Sequence, residues 1–194
     1  MSTIRPSYRV LLLLSNTGGG HRSAALALKE AFAYRDPAAQ VTLVDLLQDH
    51  TFFPINRAGR SYPFLVQYAR PLWRTIWWLG KSPRRLSWLM RLCTPLVHPM
   101  RRYLRQQDPD LVISVHPLLN HIPLRMLREA GNAAPFITVV TDWATISPAW
   151  LCPEVDLCLV PSEAAAQQAL AAAIPPERVR VMGIPVSERF RPVE

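Results

Sequence analysis

Apolar residues fall in short blocks along this chain, separated by glycine, proline and charge, and the blocks are of two kinds. Positions 10–14 read Val-Leu-Leu-Leu-Leu, a run too short to span a membrane and rich enough to form a strand buried on both faces, as central parallel strands are. Runs of the same kind lie at 40–47, 111–115, 136–141, 156–160 and 178–182. Between them the period becomes helical. Ala24, Leu28 and Ala31 share one stripe with Lys29 and Glu30 turned away, which predicts a helix over 24–34; 95–107, 118–130 and, after a cap at Ser162, 162–174 read the same way. Strands alternating with helices predict an α/β fold built on a doubly wound parallel sheet, with ligands at the carboxyl ends of its strands. By that rule residues 17–21, His116, His121, Asp142, Trp143 and Gly183 share one rim. Asp45, at the end of the second strand, is either a ligand-binding side chain or a polar residue at a loop edge.

The rhythm breaks between about 51 and 94. Here Phe52, Phe53, Tyr62, Phe64, Tyr68, Trp73, Trp77, Trp78 and Trp88 are interleaved with arginine, and Pro63, Pro71 and Pro83 divide the segment into short helices, each proline at a first helical position. In the last of these helices Leu86, Leu89, Met90 and Cys93 share one face, while Arg84, Trp88 and Arg91 share the other. Charge sharpens the picture: the formal net charge is +8, and no acidic residue lies between Asp49 and Asp108. Two readings stand for this insert. The tryptophans are core and the arginines a solvated face, or Arg70, Trp73, Arg74, Trp77, Trp78, Arg84, Arg85, Trp88 and Arg91 meet a membrane interface, with indoles at headgroup level and guanidinium groups on lipid phosphate.

After the first strand comes Thr17-Gly18-Gly19-Gly20-His21. Glycine lets the backbone bend and come close to a ligand, and a helix opening near His21 points free N–H groups and a positive dipole end at the same place. The turn lacks the Gly-Lys-Ser/Thr end of a P-loop and the spacing of a dinucleotide fingerprint. It is either a phosphate or developing-anion site with an adjoining proton acceptor, or a tight strand-to-helix turn with a solvated histidine. Cys93, Cys152 and Cys158 show no C-x-x-C spacing, and no carboxylate or cysteine shows ligand spacing with the histidines, so neither a disulfide nor a metal site is expected. A reducing cytosol, one domain over 1–194, and neither signal peptide nor transmembrane helix complete these expectations.

Several separated motifs then fall into one order: Asn16-Thr17-Gly18-Gly19-Gly20-His21, Ser114-Val115-His116-Pro117 with His121-Ile122-Pro123-Leu124-Arg125, Val139-Val140-Thr141-Asp142, Pro148-Ala149-Trp150, and Val181-Met182-Gly183-Ile184-Pro185-Val186. Together they resemble the N-terminal domain of the monogalactosyldiacylglycerol synthase and diacylglycerol glucosyltransferase family. The resemblance covers nearly the whole chain, and the basic insert matches in character only.

The resemblance implies the N-terminal, Rossmann-like half of a GT-B glycosyltransferase, which engages the lipid acceptor and the membrane while a C-terminal half binds the nucleotide-sugar. The position matching the family's base is His21; Asp142, at another matching position, is its catalytic partner, orienting a histidine or binding the acceptor hydroxyl, or else caps its own loop. Thr17, Gly18, Gly19, Gly20, His116, His121 and Trp150 match substrate- or phosphate-binding positions, although Trp150 reads equally as a packed loop residue and His116, before proline, as structural. The implied reaction transfers a hexose from UDP-galactose or UDP-glucose, a co-substrate rather than a bound cofactor, to diacylglycerol or a similar lipid. The implied partners are that lipid, an anionic membrane surface and a donor domain that is absent from 1–194 or supplied by a separate chain. The expected location is cytoplasmic, peripheral on the inner face of the plasma membrane. Two alternatives remain: a noncatalytic membrane-associated module of the same fold, and a basic nucleic-acid-binding domain, for which no recognition motif speaks.

Overall fold

The computed structural model describes residues 7–16, 19–80 and 82–190. Six strands, β1 (Tyr8–Leu14), β2 (Ala39–Asp45), β3 (Leu111–Ser114), β4 (Phe136–Val139), β5 (Leu157–Val160) and β6 (Val179–Val181), form one sheet in the order β2-β1-β3-β4-β5-β6. Every neighbouring pair is parallel. The doubly wound parallel sheet expected from the alternation is therefore present.

The five consecutive apolar residues of β1 explain its central place. Leu11 and Leu13 belong to one hydrophobic cluster, and Val10, Leu12 and Leu14 to another on the opposite face. A strand with period-two side chains and no polar position must have a layer on each side. Each such side chain contributes about 1.5–3 kcal/mol on full burial. Helix α1 (Gly19–Arg35) packs on the second face through Ala25 and Leu28. α6 (His98–Gln107), α7 (His121–Glu129) and α8 (Glu163–Ala171) bury Met100, Leu104, Leu127, Ala165 and Ala169 against the first.

After β2 the chain turns into the short helix α2 (Leu46–Asp49) instead of continuing as strand to Leu47. Asp45 causes the change. Its side chain accepts from the Gln48 backbone N–H at 3.0 Å, capping α2, and from the Asn16 N–H at 2.8 Å, which pins the beginning of the glycine loop to the end of β2. Asp45 is therefore a polar anchor at the edge of β2, almost fully buried.

The insert lies in the crossover from β2 to β3 as α3 (Ala58–Tyr68), α4 (Arg70–Gly80) and α5 (Pro83–Leu92). Pro83 opens α5 and Pro71 lies in the first turn of α4, as their fixed φ favours. Pro63 falls inside α3 and starts no helix of its own. No helix among the described residues is long and apolar enough to cross a membrane.

Candidate active site

The order of the strands decides where the site lies. Chain order reverses between β1 and β3, because β2 is on one flank of β1 and the rest of the sheet on the other. A crevice at such a switch point, outside the carboxyl ends of the strands, is where open α/β sheets bind ligands. His21, in the first turn of α1 just after β1, and His116, just after β3, meet there with ring centroids 4.8 Å apart, edge to face.

His21 is half-buried and held by three elements. Its Nδ1 is 2.9 Å from Oγ1 of Thr141, just after β4. Because a hydroxyl both donates and accepts, this bond fixes the ring orientation in either tautomer. The Trp150 ring is 5.9 Å from it, and burial lowers its pKa below the usual imidazole value, an effect partly offset by the charge of Asp142 and the backbone of Val115. His21 is thus a neutral imidazole at pH 7, in a proton-accepting state.

His116 is different. It is 3% exposed, and burial, reinforced by His21, depresses its pKa to about 3. Its Nδ1 accepts from the Leu118 N–H at 3.3 Å, capping the 3-10 turn Pro117–Leu119. Burial and capping make it a neutral wall behind His21. Asn120 braces the same region, with its amide N–H groups bonding to the carbonyls of His116, Pro117 and Ala149 and its Oδ1 accepting from Thr138. Asn120, fully buried, and Thr141 were missed in the sequence; an asparagine just before a helical run reads as an ordinary cap.

Trp150 is fully buried, which favours its reading as a packed loop residue over that of an acceptor contact: a 3-10 turn, Pro148–Trp150, folds it into the core. Its indole Nε1 donates to Oδ2 of Asp142 at 2.8 Å, fixing the carboxylate beside His21. Trp143, the next residue, is exposed.

Thr17 and Gly18 lie outside the described residues. Gly19 and Gly20 are exposed in the first turn of α1, without positive φ, and a Cβ on either would meet nothing within 4 Å. The sharp bend expected of these two glycines is therefore not made at them. What they provide is bare backbone at the start of a helix with no acid in its first turn, where free N–H groups and the dipole favour an anion.

His121 opens α7, and its nearest chemistry is a different set of groups: a ligand atom from each of His121, Cys152 and Glu154 lies within 4.8 Å of the others. Cys152 Sγ is 3.2 Å from Oε2 of Glu154, and burial with that carboxylate pushes the thiol up to about 12. Linear spacing did not reveal this cluster, because β4 and the following loop intervene between its members.

In the insert, Trp78 and Trp88 are exposed, together with Phe64, Tyr68, Leu72 and Leu92. Arg70, Arg74, Arg84 and Arg91 are exposed too, and among the described residues none of them has a carboxylate partner. Arg85 stands 3.8 Å over the Trp78 ring. Trp73 and Trp77 lie on α4, and nothing is described of their side chains. Two cavities, of about 220 and 380 Å³, lie along α6 away from His21 and share His98, Arg102 and Gln106.

The family model for monogalactosyldiacylglycerol (MGDG) synthase matches residues 21–186. The chain is 42% identical over 188 residues to the chloroplastic monogalactosyldiacylglycerol synthase of Spinacia oleracea, covering 94% of this chain and 35% of that protein. It is 39% identical over 187 residues to chloroplastic monogalactosyldiacylglycerol synthase 1 of Arabidopsis thaliana, with the same shares. The chain thus spans about a third of the length of these relatives. Among solved structures it resembles the apo form of the lipopolysaccharide outer core galactosyltransferase WaaB, with TM-score 0.51 and 16% identity over 95% of this chain and 50% of that one. That likeness shows the fold, a Rossmann-like half of the GT-B type. The expected place on the inner face of the plasma membrane is corrected, since the relatives are chloroplastic proteins.

Proposed function

The chain belongs to the monogalactosyldiacylglycerol synthase family, and from that premise we propose that it forms the acceptor-side domain of a glycolipid glycosyltransferase. The reaction transfers a hexose, galactose by the names of the relatives, from a UDP-sugar to diacylglycerol or a similar lipid alcohol. One observation carries the reading: a half-buried, neutral His21 held by Thr141 and backed by His116 at the β1/β3 switch point.

A lipid hydroxyl has a pKa far above 7 and attacks an anomeric carbon poorly unless its proton leaves in the transition state. In the proposed step the acceptor oxygen bonds to the anomeric carbon, the bond from that carbon to the diphosphate breaks, and the acceptor proton passes to the His21 imidazole. Asp142, fixed by Trp150, stabilises the imidazolium that results. Negative charge grows on the departing diphosphate, and the N-terminus of α1, bare at Gly19 and Gly20, is suited to meet it.

A second, donor-binding half supplies the contacts to the nucleotide. A helix N-terminus contributes only about 0.3–1 kcal/mol at an exposed site, whereas even millimolar affinity needs about 4 kcal/mol. The exposed aromatic and arginine side chains of α3 to α5 hold this half on an anionic membrane surface, where the acceptor resides.

Photoreactive diacylglycerol in vesicles tests the acceptor assignment on this chain. Crosslinks to the segments around His21 and Asp142, competed away by ordinary diacylglycerol, are expected. Labelling spread evenly along the chain, or unaffected by competitor, overturns it.

A further inference from the structure

We propose that His121, Cys152 and Glu154 form a site for a zinc-like divalent metal ion, separate from the His21 centre. Three chemically different donors converge here from two parts of the chain, with ligand atoms within 4.8 Å of one another. Around tetrahedral zinc, bonds of about 2.0–2.3 Å put neighbouring ligand atoms roughly 3.3–3.7 Å apart. The sulfur and carboxylate oxygen already stand at 3.2 Å, so closing the set needs movement of His121 and of the exposed end of Glu154 only.

The donor set selects the ion. Imidazole with thiolate and a single carboxylate suits zinc, and its cobalt substitute, and suits magnesium and calcium poorly, since these require mostly oxygen ligands. Three protein ligands leave a fourth position for water. On binding, the Cys152 S–H bond breaks, the proton goes to solvent and the sulfur bonds to the metal. Cys152 is buried while Glu154 is exposed, so the site lies at the surface with its sulfur on the inner side.

The location gives the ion a mechanical task. His121 is the first residue of α7, and Cys152 follows the turn that carries Trp150. A metal here would tie the start of α7 to the loop that carries Trp150, whose indole fixes Asp142.

Cobalt titration of the full chain, freed of metal with a chelator, tests the site. The expected result is one equivalent bound with a thiolate-to-cobalt charge-transfer band, displaced by zinc, and a higher melting temperature with zinc. The band should vanish in Cys152→Ala and persist in Cys93→Ser. Glu154→Gln, a change at an exposed position that leaves the circular dichroism spectrum intact, should weaken binding at least tenfold. The proposal is overturned by the lack of a thiolate band at stoichiometric cobalt, by a band that survives Cys152→Ala, or by unchanged affinity in Glu154→Gln. Should Cys152→Ala fail to fold, the Glu154 variant decides alone.

Discussion

Trp150 donates its indole N–H to Asp142 at 2.8 Å; its ring lies 5.9 Å from that of His21, on which the Asp142 charge acts. One oxygen of the carboxylate is thus committed to the buried indole, which in the proposed reaction suits Asp142 to orienting and charge stabilisation, with His21 as the proton acceptor.

Removing the donor while keeping most of the ring volume is the direct check. Trp150→Phe loses one hydrogen bond to a charged group, worth about 1.5–3 kcal/mol, and the melting curve should show a loss of that order. Trp150→Ala, which empties a fully buried aromatic site, should cost about 3–5 kcal/mol. Denaturant titration separates the two.

His21 and Thr141 should differ in kind. In an active protein completed by a donor half, His21→Ala should lower kcat roughly 10²- to 10⁴-fold, the usual contribution of a general base. Thr141→Val removes one neutral hydrogen bond of about 0.5–1.5 kcal/mol and should lower kcat about two- to tenfold, with the acid limb of the pH–rate profile displaced. A near-normal His21→Ala enzyme would assign the proton to another group.

Stability should fall with acid, because His116 is held neutral. The unfolded chain takes up its proton near pH 6.5 and the folded chain only near pH 3, so the unfolded state binds more protons in between. The contribution of His116 is complete above about pH 6.5 and is lost progressively as pH falls towards about 3. At pH 5 the loss is about 2 kcal/mol. His21, lowered in the same direction, adds to the trend. Urea midpoints measured from pH 7.5 to 5 check it, and in a folded His116→Gln variant most of the slope should vanish.

Much of this was legible beforehand, for physical reasons. The uninterrupted run at 10–14 demanded a layer on each face, and the structure places β1 between two clusters. Prolines marked the entries of α4 and α5 because their φ is fixed. What sequence could not show was contact across the sheet. The second strand read as running on to Leu47 because the residues after Asp45 are apolar, yet the Asp45 carboxylate ends β2 by capping α2. Trp150 read equally as an acceptor contact or a packed loop residue, because its partner Asp142, eight residues earlier, could not be paired with it from sequence. Asn120 gave no local signal, and Thr141 stood only within the Val139-Val140-Thr141-Asp142 motif without a role, since the roles of both exist only once β3, β4 and α1 are neighbours.

The insert gives a prediction independent of catalysis. Reversing charge at Arg84 and Arg91 should weaken binding to phosphatidylglycerol vesicles by well over tenfold, as each basic residue near such a surface contributes about 1 kcal/mol before reversal adds repulsion. The salt dependence should flatten in parallel. Vesicle flotation at several salt concentrations reads both, and unchanged binding would return the arginines to the role of a solvated face.

Gly20→Ala should separate folding from function. Its added methyl meets no neighbour, and alanine is favoured over glycine in a helix by about 1 kcal/mol, so thermal stability should hold or rise. In an active, completed enzyme, KM for the UDP-sugar should increase or kcat fall, because the methyl occupies the space in front of the N–H groups. A variant both stable and fully active would mean that no ligand comes close at this point.

Helices α3 to α5 leave the sheet at the carboxyl end of β2, next to the Asp45 that anchors the start of the glycine loop, and return through α6 to the amino end of β3, so the proposed lipid-facing element is tied directly to the site's side of the sheet through β2. Held on a membrane in the proposed way, the domain would meet its acceptor by diffusion within a surface. The concentration that governs its rate is then the mole fraction of diacylglycerol in the bilayer, and diluting vesicles in buffer should leave the turnover of bound enzyme unchanged while diluting the acceptor with inert lipid slows it.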